Sequence, residues 1–239
     1  MNIQPSEAQG SRVKGLLIYW LAVIVVGFIG FVLPQIPFQI GLFGEYAGIN
    51  LTIIAVLQAL LVIPLLYWGL RRLNLSFASI GWTKRAWLRD SWLGVLVAGC
   101  WAIVQFVWLI PNTGGAERAD IVAIVSMLEG HWSHVLWYLP LGIIGGGLTE
   151  ELYNRGFIIG VIACLFHRSK WATGIAAVIA IVFFAAGHLP TNAVEWIDLL
   201  VPSTAYTLLY VATGRLTAPI IAHGLWNSFA AIGIYLLYV

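Results

Sequence analysis

Long apolar runs separated by short basic loops constrain this chain more than any other feature. They lie at about 16–33, 51–70, 91–110, 133–166, 171–189, 197–213 and 217–238. A bilayer core of roughly 30 Å takes about 20 helical residues to cross. In hydrocarbon the backbone N–H and C=O groups must be satisfied internally, which selects helices. Composition agrees: 61% of the 239 residues are hydrophobic and only 9% are charged, against about 25% charged in soluble globular domains. A soluble fold would lack the polar residues to cover its surface. The expected fold is all-α, a polytopic transmembrane helical bundle of about seven spans, with eight as the alternative. Residues 1–239 would form a single integral membrane domain, with no soluble domain and no nucleic-acid surface.

The basic residues orient the bundle. Arg12 and Lys14 precede the first run, and Arg71, Arg72, Lys84, Arg85 and Arg89 follow the second. Arg168 and Lys170 follow the fourth, and Arg215 follows the sixth. The alternate loops hold only Arg118, beside Glu117 and Asp120. The positive-inside rule then puts the N-terminus in the cytoplasm and the C-terminus outside. The first run is longer than a signal-peptide core and has no small-residue cleavage site after it, so it reads as a retained first span.

Three local features stand apart. The fourth run has 34 residues, about 51 Å at about 1.5 Å per residue, and contains Gly145, Gly146 and Gly147. These either bend the helix or let a neighbour pack closely. Ile121, Ile124, Val125 and Leu128 recur at helical spacing, with Asp120 placed to cap and Gly130 to stop a short interfacial helix over 119–129. Cys100 and Cys164 lie in apolar runs and read as packing residues, with no spacing for a cysteine zinc site.

Glu150 and Glu151 sit side by side in the fourth run. A charge at mid-bilayer costs several kcal/mol, so such residues are functional candidates. Glu151 and Arg155 are i, i+4 and can pair along one helix face. Glu150 is rotated by about 100° and remains free, in a position to act as general base or acid. His188, near the end of the fifth run, comes level with Glu150 when both are counted from the loop at 167–170. The two can share one water. His223 and Asn227 are i, i+4 on the last run and offer donors for an oxyanion. His223 reaches that depth only if the 213–218 loop dips or the sixth helix tilts. Taken singly, an intramembrane histidine is more often a hydrogen-bonded packing residue, and Asn227 alone would be interhelical glue. His131 and His134 are spaced to bind a metal but sit beside Trp132 at a loop boundary, which favours an interfacial belt. His167 reads as a loop residue.

Three motifs on separate apolar runs resemble those of the CPBP intramembrane proteases, the CAAX protease or ABI family that includes type II CAAX-prenyl proteases. Glu150-Glu151-Leu-Tyr-Asn-Arg155 fits Glu-Glu-x-x-x-Arg, Phe184-Ala-Ala-Gly-His188 fits Phe-x-x-x-His, and His223-Gly-Leu-Trp-Asn227 fits His-x-x-x-Asn. The likeness covers about 133–230, and Ala78-Ser-Ile-Gly-Trp82 resembles the family's upstream part more loosely. The resemblance implies an intramembrane endopeptidase acting on membrane-associated or lipidated peptides. In it Glu150 and His188 activate a water, His223 and Asn227 hold the oxyanion, and Glu151, Arg155 and Phe184 support the site. It implies no cofactor, with Zn²⁺ on His188, His223 and Glu150 as the alternative. Eukaryotic relatives trim prenylated proteins, and prokaryotic ones are linked to bacteriocin immunity or peptide maturation. The compact size fits a prokaryotic cell membrane. A non-catalytic immunity or scaffold protein that binds a peptide, and a proton-coupled transporter, are the competing classes; no internal repeat supports the transporter. The expected partners are the bilayer and a membrane peptide or protein, and the sequence leaves the side of access and the oligomeric state open.

Overall fold

A computed structural model describes residues 5–239, with side chains from Val13 onward; Met1–Gln4 of the polar N-terminal stretch lie outside the described residues. The described residues are helical, with no strand. Helix α1 (Pro5–Val25) continues as a π-helix over Val26–Val32, and a short turn at Ile36–Gln39 follows. Then come α2 (Ile49–Arg72), α3 (Trp87–Ile103, extended by a π-helix at Val104–Leu109) and α4 (Ala119–Leu128). Helix α5 (Trp132–Pro140) runs on through π-helical Leu141–Glu150 and Leu152–Gly160 into Val161–Leu165. The chain ends with α6 (Lys170–Gly187), α7 (Ala193–Thr213) and α8 (Thr217–Tyr238).

Among the described residues, five helices are long and apolar enough to cross a membrane: Val13–Gln39, Ile49–Arg72, Trp87–Asn112, Lys170–Gly187 and Thr217–Tyr238. The stretches expected at 133–166 and 197–213 are helical too. They fall short of that measure because Glu150, Glu151 and Arg155 interrupt one, and Glu195 and Asp198 lie in the first turns of the other.

Small residues decide the packing, as they do where lipid and protein interior are equally apolar. A Cβ on Gly147 would come within 2.8 Å of the Gly224 backbone, and one on Gly94 within 2.7 Å of the Ala218 carbonyl. So α8 lies backbone to backbone against both α3 and the π-helical stretch of α5. The glycine triplet thus serves close approach, and the stretch is widened rather than broken. A widened turn of this kind is uncommon and recurs at functional sites. Behind it, Tyr19 and Val23 of α1, Leu66 and Leu70 of α2, and Leu152 and Phe157 form the main core.

Helix α4 begins at Ala119, the expected start, and ends at Leu128, one residue short of the expected end. Arg118 holds the cap position, and Asp120, which was expected to cap, is drawn into an ion pair with Arg118. Ile121 and Leu128 of α4 pack on α8. Cys164 lies near the Ser79 carbonyl, as a packing residue should, but Cys100 faces outward. His131 and His134 have ring centroids 5.2 Å apart, and His134 Nδ1 lies 3.1 Å from Glu129 Oε2.

Candidate active site

The site is assembled where α5 crosses α8. Arg155 Nη1 donates to Glu151 Oε1 at 2.8 Å, and both side chains are fully buried. The second nitrogen, Nη2, donates to the Ser203 carbonyl at 2.9 Å and to Ser203 Oγ at 2.7 Å. The guanidinium also lies 4.9 Å from the Phe184 ring centre and 5.6 Å from that of Tyr206. A buried charge needs both pairing and full hydrogen bonding, and α7 supplies what α5 alone lacks.

Glu151 has a second partner. His223 Nδ1 lies 2.8 Å from the same Oε1 atom. The His223 ring stacks on Tyr206 at 5.0 Å and meets Phe184 edge-on at 5.7 Å, so its orientation is fixed on three sides. With Nδ1–H donated to Glu151, Nε2 points at Glu150, 3.9 Å from its Oε2. That Glu150 oxygen has no hydrogen-bond partner in the protein. Glu151 Oε2 is unpartnered too, but the two glutamates are unequal: Glu151 is tied twice through Oε1 and fully buried, whereas the Glu150 side chain makes no hydrogen bond and is one-fifth exposed.

His188 sits at the C-terminal end of α6. Its Nδ1 donates to the Phe184 carbonyl at 2.8 Å, one turn back, which leaves Nε2 as an acceptor. The Phe184 spacing in the motif thus has a backbone reason as well as a ring contact, the centroids being 4.6 Å apart. Asn227 Nδ2 donates to the Gly142 carbonyl at 3.1 Å. A Cβ on Gly146 would lie 2.3 Å from Asn227 Nδ2 and 3.3 Å from His223 Nε2, so those two nitrogens converge over a residue that has no side chain. Glu150, His188, His223 and Asn227 all line one cavity of about 1070 Å³. Glu150 and His188 make no direct contact across it.

The depth of His223 follows from its loop. Leu216 N donates to the Gly81 carbonyl, and Tyr210 Oη to the Ile80 carbonyl. Leu216 and Ile80 side chains both meet Gly156. The turn between α7 and α8 is therefore held well inside the end of α5, and His223, seven residues on, comes level with Glu151. Asp90 fastens the same turn through Arg215, with Nη2 to Oδ1 at 2.9 Å.

Sequence reasoning missed several residues. Tyr206 and Ser203 lie about 50 positions from Arg155 with no motif to mark them. Tyr46, from the 40–48 loop, lines the cavity and donates to Gln35 Oε1 at 3.1 Å. Burial, then the neighbouring charges of Tyr138 and Glu150, push the Tyr46 phenol above its ordinary range. Among the described residues, no group of three His, Cys, Asp or Glu is arranged to hold a metal ion. His223 Nδ1 donates to Glu151 and His188 Nδ1 to a carbonyl, which leaves the Nε2 atom of each ring free on the cavity.

The apolar helices and their buried acid, base and amide groups define an integral membrane protein with a polar cluster at a cavity. Residues 132–229 match the family model described as type II CAAX prenyl endopeptidase Rce1-like, so this stretch is an Rce1-like domain, of a family of proteases. It contains all three motifs. No curated protein and no solved structure matches the chain significantly.

Proposed function

We propose that this protein is an intramembrane endopeptidase that hydrolyses peptide bonds of membrane-associated or lipidated peptides. The observation that carries the reading is the division of the glutamate pair: Glu151 is held through Oε1 by Arg155 and His223 and is fully buried, while Glu150 makes no side-chain hydrogen bond and lines the cavity beside His223. In this reading Glu150 takes a proton from a water lying between it and His188 Nε2. The resulting hydroxide adds to the scissile carbonyl carbon. Asn227 Nδ2–H donates to the oxyanion, and His223 Nε2 does so when it too carries a proton. Glu150 then returns its proton to the leaving amine as the C–N bond breaks. Glu151, Arg155 and Phe184 fix the bases and are positioning residues. In this reading Glu150 and His188 activate the water by taking up its proton and orienting it, and no step is routed through a metal ion.

The test is Glu150→Gln, which keeps shape and removes the base. Membrane peptides are compared in cells carrying wild type or the variant, with folded protein measured in both. The expected result is loss of cleavage at unchanged folding, and uncut peptides that accumulate identify the substrate. Wild-type cleavage by a folded Glu150→Gln protein refutes the mechanism.

A further inference from the structure

The cavity has a sidedness that follows from its walls. At one end it is bounded by Gln35, Gln39 and Tyr46, by Met127 of α4, by Leu189 after α6 and by Asp198 of α7. These segments meet at the same face: Gly48 N donates to the Met127 carbonyl at 3.3 Å, and Arg118 bridges Asp120 and Asp198. None of the lining residues comes from the loops at the other face. Between Glu151 and that face lie Ile80, Phe157 and Leu216, all fully buried, with the 77–82 segment stapled to α7 by the Tyr210 hydrogen bond. The cavity therefore reaches one face and stops short of the other.

The face that the cavity does not reach carries the positive charge. Of the 12 Lys and Arg, ten belong to it in sequence: Arg12, Lys14, Arg71, Arg72, Lys84, Arg85, Arg89, Arg168, Lys170 and Arg215. Arg155 is internal, and only Arg118 lies at the open face, where it is already bound by two aspartates. The open face also holds six of the ten acidic residues: Glu45, Glu117, Asp120, Glu129, Glu195 and Asp198. Lys and Arg in short loops are retained on the cytoplasmic side. The side wall of the cavity is apolar and partly faces the bilayer, with Trp20, Ile24, Phe28 and Phe183 all substantially exposed.

From these observations we infer that the site is entered from the extracytoplasmic face, so that the substrate is a peptide presented outside or embedded in the outer leaflet rather than a lipidated protein end in the cytosol. This rests on the peptidase reading for what is done to the peptide, but the side of entry is independent of it. The apolar wall takes the membrane-embedded part of such a peptide, and the open mouth admits the water that is consumed.

The test uses single reporter cysteines in the full-length protein with Cys100 and Cys164 replaced by alanine. Gln39→Cys reports the cavity mouth, Glu117→Cys the same face outside the cavity, and Lys84→Cys the basic face. A membrane-impermeant maleimide is added to intact cells and, separately, to inverted vesicles. Labelling of Gln39→Cys and Glu117→Cys in cells, with Lys84→Cys labelled only after inversion, is the expected result. Labelling of Lys84→Cys in intact cells, or protection of Gln39→Cys or Glu117→Cys until inversion, overturns the inference. Labelling needs no catalysis, so it stands or falls apart from the Glu150→Gln result.

Discussion

Removing Arg155 exposes the logic of the buried cluster. Its guanidinium makes three short hydrogen bonds, one to Glu151 at 2.8 Å and two to Ser203 at 2.9 and 2.7 Å. Interhelical hydrogen bonds in membranes average about 0.6 kcal/mol each, so the two bonds to Ser203 alone are worth about 1 kcal/mol. Arg155→Met does more than break them. It leaves Glu151 fully buried with His223 as its remaining partner, and orphaning a buried charge costs about 3–5 kcal/mol. The larger figure should win, because the site is closed on the side of Ile80 and Leu216. Glu151→Gln strands Arg155 in the same way. The double variant strands neither, so it should cost less than the sum of the singles by at least ~1.5 kcal/mol, within the range seen for coupled neighbours. Equilibrium unfolding in mixed micelles, followed by loss of helical circular dichroism, measures all three. Additivity within about 0.5 kcal/mol, or a cost below ~1 kcal/mol for Arg155→Met, would refute the claim that charge pairing organises the cluster.

Three further outcomes follow from the same geometry. Gly146→Ala drives a methyl to within 2.3 Å of Asn227 Nδ2; overpacking of this kind costs about 1–3 kcal/mol, and a displacement near 1 Å lowers turnover by about 10²-fold. Gly174→Ala, with nothing within 4 Å of its Cβ, is the control and should be neutral or stabilising by up to ~1 kcal/mol in thermal unfolding. Asn227→Ala removes the proposed oxyanion donor and should lower kcat by about 10²–10³-fold with little change in KM, measured on the peptide found with Glu150→Gln. Treatment with a zinc chelator should leave cleavage intact, whereas loss of activity restored by Zn²⁺ would show that donors gather around a metal during turnover.

The local part of the site was legible and the tertiary part was not. The Glu151–Arg155 pair follows from i, i+4 spacing, and the free position of Glu150 from its rotation on the same helix; both are found. The contact between Glu151 and His223 spans 72 positions, and no periodicity encodes it. It depends on how far the 214–216 turn is drawn in by Gly81 and on how closely Gly147 and Gly224 approach, which are packing outcomes. The glycine triplet marked a special place, but its two meanings, bending or close approach, separate only once α8 is seen against it. The all-helical class was plain in the apolar runs. The number of spans was less so, because the residues that make the site are those that spoil the hydropathy of 132–165, and Glu195 and Asp198 do the same at the start of α7.

The length of the 132–165 helix has a consequence for the lipid around it. At an α-helical rise of about 1.5 Å per residue, it exceeds a bilayer core of about 30 Å by far more than an ordinary tilt absorbs. Trp132 and Trp137 lie outward near its first turns, where aromatic residues anchor to headgroups. Glu150 and Glu151 are fixed to that helix, so the depth of the carboxylate pair below the headgroups is set by where the tryptophans anchor. Hydrophobic mismatch is relieved by tilting or by local changes in membrane thickness. Under the proposed mechanism, acyl-chain length thereby becomes a determinant of which peptide bond reaches Glu150, and reconstitution in thinner and thicker bilayers would move the cut along the same peptide.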